Sequence, residues 1–283
     1  MSHLDGRVVL VTGAAGGIGH ALARAFVASG MRVAISDVNI TALTALAAEL
    51  GPENAFAVPA DIADPAACLS LVAAARDHFG ALHALVNNAA LGMGTIRQDH
   101  FHRCVTIDDV SVEQWQRFLA VNLTGAFCLT KAALPGFRQQ GFGRIVNITT
   151  SFYTMLRSGF YPYGVTKSGL EAWSASLAAE LLGSGITVNV VVPGGPTDTP
   201  MVPPESGYQR EALIRPSVMA PPMLHLFSDA GGAITGQRFI AAHWDATVPP
   251  AEAALRSGSP AAWPELAAGG FSQPASPQLN KGL

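Results

Sequence analysis

The chain has 283 residues, of which 49% are hydrophobic and 13% charged, with a formal net charge of −3 at pH 7. This length fits one large domain or two small ones, and the apolar composition argues against a disordered chain. The near-neutral charge lacks the basic surface of nucleic-acid or anionic-membrane binders, and three cysteines do not form a disulfide framework.

Short β-branched apolar runs alternate with longer segments of helical periodicity along most of the chain. The first strand is predicted at 7–12 and the first helix at 17–29. Such alternation is typical of an α/β fold, a doubly wound and mainly parallel sheet with helices on both faces. Later strands are predicted at 31–36, 55–59, 82–87, 144–149, 187–192 and 237–241, and later helices at 41–50, 65–79, 112–138 and 163–182.

Two segments are irregular. Residues 193–222 are rich in Pro and Gly, and a loop of this length inside a compact domain is usually functional, so we predict a substrate loop there. We predict a single catalytic domain over 1–243 and an extended tail over 244–283, because Pro and Gly disfavour a helix of useful length. Trp263 and Phe271 are expected to fill apolar grooves, and the alternative is a partly mobile terminus.

Neither a targeting segment nor a membrane span is predicted. The first residues show no charged leader followed by an apolar run, and no uninterrupted apolar stretch reaches the roughly 18 residues that a span needs. We therefore expect a soluble cytoplasmic protein without a membrane partner or a nucleic-acid partner.

A glycine-rich loop joins the first predicted strand to the first helix. Its glycines would let the backbone approach a pyrophosphate closely at a helix N-terminus. The spacing Gly13-x3-Gly17-x-Gly19 differs from the G-x-G-x-x-G fingerprint, and the absence of a following Gly-Lys-Ser/Thr excludes a P-loop; the alternative is an ordinary tight turn. The candidate dinucleotide-binding residues of this loop are Gly13, Gly16, Gly17, Ile18 and Gly19.

An aspartate ends the second predicted strand. Asp37 lies 18 residues after Gly19, where a carboxylate can bind both adenosine ribose hydroxyls and repel a 2′-phosphate. The glycine loop contains no Arg or Lys to bind such a phosphate. Both features favour NAD over NADP, and the alternative is an Asp that caps the following helix.

A tyrosine and a lysine are four residues apart in a predicted helix. Tyr163 and Lys167 therefore share one helical face, whereas Tyr161 is six residues from Lys167 and does not. An ammonium beside a phenol is expected to lower the phenol pKa, so Tyr163 could exchange a proton with an alcohol or a carbonyl. The alternative is an exposed tyrosine beside a surface lysine.

Five motifs occur along the chain in order: Thr12-Gly13…Gly17-Ile18-Gly19, Asn87-Asn88-Ala89-Ala90, Val121-Asn122, Tyr163-Gly-Val-Thr-Lys167 and Pro193-Gly194. Together they resemble the short-chain dehydrogenase/reductase family, over roughly Leu4 to Ala242. The resemblance implies a Rossmann-type seven-stranded sheet, a nicotinamide cofactor and a homotetramer or homodimer. Besides the loop residues and Asp37, the cofactor-binding residues it implies are Asp61, Ile62, Asn88, Ala89, Tyr163, Lys167, Pro193, Gly194 and Thr199.

The resemblance also implies a catalytic serine, and this sequence departs from that pattern. Thr150 occupies the position 13 residues before the tyrosine, and Ser151 follows it. A threonine hydroxyl can make the same contact. We favour Thr150 because successive strand side chains point oppositely, and Ser151 is the alternative. The resemblance assigns Asn122 to the catalytic set, where it kinks the long helix and holds a water linked to Lys167.

The predicted function is hydride transfer between NAD(H) and an alcohol or ketone, with Tyr163 as general acid and base. The alternatives are an NADP-linked carbonyl reductase and a catalytically silent dinucleotide-binding scaffold or sensor.

His100, His102 and Cys104 have the spacing of metal ligands on a strand, but no fourth ligand is evident, so no metal site is predicted. Cys68 and Cys128 are expected in the core. For Met201, Met219 and Met223, cleft walls and ordinary packing both stay open.

Overall fold

The computed structural model describes residues 4–269, in which eight strands form one sheet in the order β3-β2-β1-β4-β5-β6-β7-β8. Every neighbouring pair is parallel except β7 and β8. The strands are β1 (Val8–Thr12), β2 (Arg32–Ser36), β3 (Ala55–Ala57), β4 (Ala84–Asn87), β5 (Gly143–Ile148), β6 (Ile186–Val192), β7 (Gln237–Ile240) and β8 (Gly258–Pro260).

Helices cover both faces of this sheet, and an apolar cluster fills each of the two layers between sheet and helices. The predicted Rossmann-type α/β fold is confirmed, with seven parallel strands and one additional antiparallel strand. The helices are α1 (Gly17–Ala28), α2 (Ile40–Leu50), α3 (Pro65–Phe79), α4 (Val112–Leu119), α5 (Gly125–Gln140), α6 (Phe152–Leu156), α7 (Tyr163–Glu180), α8 (Ala220–Phe227), α9 (Pro250–Ser257) and α10 (Pro264–Gly269).

The strand order reverses between β1 and β4. The chain runs outward from β1 to β3 on one side and from β4 to β7 on the other. In open α/β sheets a crevice forms at this switch point, beyond the carboxyl ends of the strands. The glycine loop follows β1, and Asn88 follows β4, so both motifs lie at this crevice.

The long helix predicted at 112–138 is present as α4, a π-helical segment over Ala120–Thr124, and α5. By length and composition alone, Val112–Gln140 could cross a membrane. However, α5 packs against α3, β4 and β5 inside the protein, as the core helix of an α/β sandwich does.

The C-terminal segment differs from the extended conformation predicted for it. Pro250 occupies the first turn of α9, where proline is tolerated, and α9 buries Ala253 against the fold. The next three residues form β8, which pairs with β7. Trp263 is 41% exposed and lies edge-on to Phe152 rather than filling a groove. Phe271 lies outside the described residues.

Candidate active site

The glycine loop contains three positions at which a side chain would be strained or would clash. Gly13 has φ +64° and Gly17 has φ +55°, a backbone region that favours glycine. A Cβ at Gly19 would lie 2.2 Å from the Gly13 carbonyl oxygen. The N-cap of α1 is Gly16, which makes no side-chain cap, so the first-turn N–H groups of the helix could hold an anion such as a pyrophosphate.

The segment after β4 is hydrogen-bonded to the start of the glycine loop. Asn88 Nδ2 donates to the carbonyls of Thr12 (2.8 Å) and Gly13 (3.0 Å). In return, Thr12 Oγ1 accepts from the backbone N–H groups of Asn88 and Ala89, both at 3.2 Å. Sequence reasoning missed this role of Thr12, although its place at the end of an apolar strand was a signal for it.

The Asp37 carboxylate lies at the edge of the same loop. Its Oδ2 accepts from the Ala15 N–H at 3.1 Å and its Oδ1 from the Asn39 N–H at 2.9 Å. The N-cap of α2 is Asn39, whose side chain accepts from Ala42 N, so the alternative of Asp37 as a helix cap is wrong. The structure therefore brings the Asp37 carboxylate to the glycine loop, where it could bind the ribose hydroxyls of a dinucleotide.

Asp61 and Ile62 lie in the turn that leads from β3 to α3. Asp61 is exposed and forms an ion pair with Arg117 at 2.8 Å. Ile62 is buried, and its carbonyl oxygen would be only 2.7 Å from a Cβ at Gly125. This close contact fixes the turn against the long helix.

Asn122 lies in the π-helical segment and is 1% exposed. Its Oδ1 accepts from the Leu91 N–H at 2.7 Å, and its Nδ2 donates to the Leu91 carbonyl (3.0 Å) and to Thr166 Oγ1 (3.2 Å). Single π turns occur frequently at functional sites. Asn122 thus ties the segment after β4 to α7, which carries Tyr163 and Lys167.

The tyrosine and the lysine share one face of α7, as predicted. Lys167 Nζ lies 5.8 Å from the centre of the Tyr163 ring and donates to the Ile148 carbonyl at 2.7 Å. Burial lowers the pKa of Lys167 to about 8. Burial raises the pKa of Tyr163 to about 12, against the opposing effect of a hydrogen bond with Thr150. The expected fall in the Tyr163 pKa is therefore wrong for this structure.

The two hydroxyls after β5 have different partners. Thr150 lies beside Tyr163, where its hydroxyl opposes the effect of burial on the pKa of the tyrosine. Ser151 is the N-cap of α6, and its Oγ accepts from the Thr154 N–H at 3.1 Å. The structure therefore brings Thr150 together with Tyr163 and uses Ser151 to start a helix.

This difference in partners yields a test of the two candidates. Thr150→Ala should lower kcat by about tenfold or more, because it removes a hydroxyl beside Tyr163, the predicted acid–base group. Ser151→Ala should leave kcat near that of the unaltered protein and cost about 1 kcal/mol of stability through the lost cap. Steady-state kinetics and urea unfolding of both variants measure these effects. A larger kcat loss in Ser151→Ala would move the catalytic position by one residue.

The segment after β6 folds back over the glycine loop. A Cβ at Gly17 would lie 2.9 Å from Thr199 Cγ2, so Thr199 packs directly against the glycine loop. Gly194 has φ +109°, and the Pro193 carbonyl accepts from the Ala242 N–H at 2.9 Å. The structure thus brings Pro193, Gly194 and Thr199 to the same edge of the sheet as the other candidate cofactor residues.

Of the three methionines left open, only one lies at the crevice. Met201 is 40% exposed, and its side chain lies against Gly92. Met219 and Met223 are fully buried in a core cluster, where they serve ordinary packing. Cys68 is also buried in the core, as predicted, and burial raises its pKa to about 12.

The His100, His102 and Cys104 side chains have separate environments. His100 is buried and contacts the Phe101 ring at 4.3 Å, His102 bonds to the Glu205 carbonyl, and Cys104 is exposed. Over residues 4–269, no group of three or more His, Cys, Asp or Glu lies in an arrangement that could hold a metal ion. The histidine at 102 instead connects this loop to the substrate loop.

A family model described as short chain dehydrogenase matches residues 7–208. The chain belongs to this family. Among its curated relatives, 2,5-dichloro-2,5-cyclohexadiene-1,4-diol dehydrogenase of Sphingobium indicum is 33% identical over 246 residues, covering 83% of this chain and 94% of the relative. The 3-alpha-(or 20-beta)-hydroxysteroid dehydrogenase of Mycobacterium bovis is 36% identical over 243 residues, covering 84% and 88% of the two chains.

Solved structures show the same fold for this short-chain dehydrogenase. The 3-ketoacyl-(acyl-carrier-protein) reductase from Brucella melitensis, complexed with NADH, superimposes with a TM-score of 0.71 at 29% identity. The superposition covers 82% of this chain and 95% of the reductase. These relatives are oxidoreductases named for different alcohols and ketones, so the family is shown and the substrate differs among its members.

Proposed function

We propose that this short-chain dehydrogenase transfers a hydride between NAD(H) and an alcohol or ketone. The observation that carries the proposal is the cluster of Thr150, Tyr163 and Lys167 at the edge of the sheet where the glycine cradle lies. The glycine loop fits a dinucleotide, because no side chain is tolerated at Gly13 or Gly19, so the backbone there can approach a ligand closely. The α1 N-terminus has no side-chain cap, so its N–H groups are available to a phosphate.

In this proposal the chain supplies binding and proton transfer. A bound nicotinamide cofactor would accept a hydride from the carbinol carbon, or donate one to a carbonyl carbon. Tyr163 takes the hydroxyl proton of the alcohol, or returns it in reduction. Thr150 donates a hydrogen bond to the substrate oxygen and holds it near the phenol. The buried ammonium of Lys167 lies one helical turn from Tyr163 and attracts the negative charge that forms as the proton leaves, an attraction that burial outweighs in setting the pKa of Tyr163.

Asp37 carries the proposed preference for NAD. We expect the unaltered protein to use NAD more than about tenfold better than NADP in kcat/KM, because the carboxylate can bind the ribose hydroxyls and repels a 2′-phosphate. Asp37→Ala should shrink that preference. Asp77→Ala is the matched control, because Asp77 is an exposed carboxylate already paired with Arg76 and outside the predicted cofactor-binding set, and it should leave the NAD/NADP ratio nearly unchanged. Equal use of NADP by the unaltered protein would contradict the assignment.

The substrate search follows from the range of the relatives. Secondary alcohols, sugar acids, steroids and 3-oxoacyl thioesters are incubated with each cofactor, and the NADH or NADPH absorbance is followed. Turnover of at least one class with NAD supports the proposal. Cofactor binding without turnover of any class would favour a silent scaffold. A homo-oligomer, dimer or tetramer, is part of the proposal and is measured by light scattering.

A further inference from the structure

A buried ion pair lies behind Thr150, outside the set of residues that the sequence analysis singled out. Glu171 on α7 is 0% exposed and Arg238 on β7 is 4% exposed. Arg238 Nη1 lies 2.7 Å from Glu171 Oε2. A signal was present in the sequence, since Arg238 is the only charged residue in its strand and Glu171 is four residues after Lys167, on the same helical face.

The pair is hydrogen-bonded to the residues that follow β5. Arg238 Nη2 donates to the Thr150 carbonyl at 2.8 Å. Thr149 Oγ1 donates to Glu171 Oε2 at 2.6 Å, and the guanidinium of Arg238 lies 4.2 Å from the centre of the Phe152 ring. The pair thus contacts Thr149, Thr150 and Phe152.

Beyond the end of β5, side-chain hydrogen bonds take the place of the hydrogen bonds between neighbouring strands. The pairing of β5 with β6 stops at Ile148, and Lys167 takes the Ile148 carbonyl. Two residues further on, the Thr150 carbonyl is held by Arg238 instead of by a neighbouring strand. The backbone from Ile148 to Thr150 is therefore held by two buried cations, Lys167 of α7 at Ile148 and Arg238 of β7 at Thr150.

The segment after β7 completes the arrangement. The Ala262 N–H donates to Glu171 Oε1 at 3.2 Å, so both carboxylate oxygens have partners. In the pairing of β7 with β8, Arg238 lies opposite Ser259, and Ala261 is buried against β6. The C-terminal segment therefore covers the ion pair and supplies one of its bonds.

A buried ion pair is a weak source of stability, because taking two charges out of water cancels much of their attraction, and apolar replacements are often neutral. Its distinctive feature here is the bond to Thr150. We propose that Arg238 and Glu171 form a positioning pair, which fixes the Thr150 backbone so that the Thr150 hydroxyl stays directed at Tyr163. This inference rests on the proposed function, in which Thr150 holds the substrate oxygen.

The test uses the full chain with both charges removed together, Glu171→Gln/Arg238→Met, so that no lone charge stays buried. We expect kcat to fall at least about tenfold, since small displacements of a catalytic group carry large rate costs. The Kd for NADH, measured by fluorescence, should stay within about twofold, because the pair touches none of the cradle residues. Arg144→Met is the matched control, because Arg144 is a 5% exposed arginine at the opposite end of β5. It should lower the melting temperature and leave kcat nearly unchanged.

A purely structural role would give a different pattern. The double change is repeated in the Thr150→Ala background, where positioning of the lost hydroxyl no longer matters, and there it should lower kcat by less than about twofold. An equal loss of kcat in both backgrounds would overturn the proposal. So would a loss of kcat in Arg144→Met as large as that in the double variant.

The outcome is separable from that of the proposed function. If the unaltered protein transfers no hydride, the proposed function fails, and crystal structures of the unaltered and double-variant proteins decide the positioning alone. A displaced Thr150 in the double variant supports the pair as a positioning device. An unchanged position of Thr150 relative to Tyr163 overturns it.

Discussion

Tyr163→Phe is expected to lower kcat by at least about 100-fold, because it keeps the ring and removes the hydroxyl that, in the proposed function, exchanges a proton with the substrate. The ring packs beside the cluster of Met93, Val105 and Phe118, and phenylalanine preserves that packing. The Kd for NADH should therefore change little. Steady-state kinetics and fluorescence titration on the purified variant measure the two quantities.

Tyr161→Phe is the matched control for this change. The Tyr161 hydroxyl is buried and bonds to no group among residues 4–269, so its removal relieves an unsatisfied polar atom. We expect this variant to keep the kcat of the unaltered protein and to be equally or more stable. Similar kcat values for the two variants would remove Tyr163 from its proposed role.

Lys167→Met should lower kcat by about 100-fold or more, because the positive charge that favours the phenolate is lost. The same change has a pH-dependent effect on stability. Burial lowers the pKa of Lys167 from 10.5 to about 8, so the folded state binds this proton more weakly than the unfolded state. Compared with a neutral side chain, the buried ammonium therefore lowers the free energy of unfolding. This cost is fully present below pH 8 and disappears as the pH rises to 10.5.

Urea unfolding at several pH values measures this difference. Between pH 8 and 10.5, the unaltered protein should gain about 3 kcal/mol of unfolding free energy relative to Lys167→Met, from about 1.4 kcal/mol for each pH unit of the shift. Groups that titrate in both proteins cancel in the comparison. A constant difference over this range would show that Lys167 keeps an ordinary pKa in the folded protein.

The fold was predictable from the sequence because its determinants are local. The strands are short runs dominated by β-branched apolar residues, such as β1 and β6, in which every residue is buried, and parallel strands buried on both faces have this composition. The glycine loop was predictable for the same reason, since Gly13 and Gly19 are needed by the turn itself.

The properties that sequence reasoning missed depend on contacts between distant residues. The pKa of Tyr163 is set by burial, while Lys167 donates to a carbonyl 19 residues away in the sequence. Arg238 reaches the Thr150 carbonyl across 88 residues. No local pattern encodes such pairs, although a charged residue in a buried strand indicates that a partner exists.

The C-terminal segment shows the limit of averaging composition over many residues. Its proline and glycine content predicted an extended chain, yet the four residues at 251–254 lie in a helix that begins at Pro250. The sequence Ala-Glu-Ala-Ala-Leu-Arg at 251–256 consists of strong helix formers, and the average composition of the longer segment concealed it. Helix α9 and strand β8 then bring Ala262 to Glu171.

The fate of the hydrogen on the carbinol carbon tests the central claim most directly. An alcohol that the screen identifies is labelled with deuterium at that carbon and incubated with NAD and the unaltered protein, and the reduced cofactor is analysed by mass spectrometry. The proposed function predicts one deuterium in each NADH formed, and loss of NADH formation in Tyr163→Phe. Unlabelled NADH, or no reduction of NAD by any alcohol class despite cofactor binding, would contradict it.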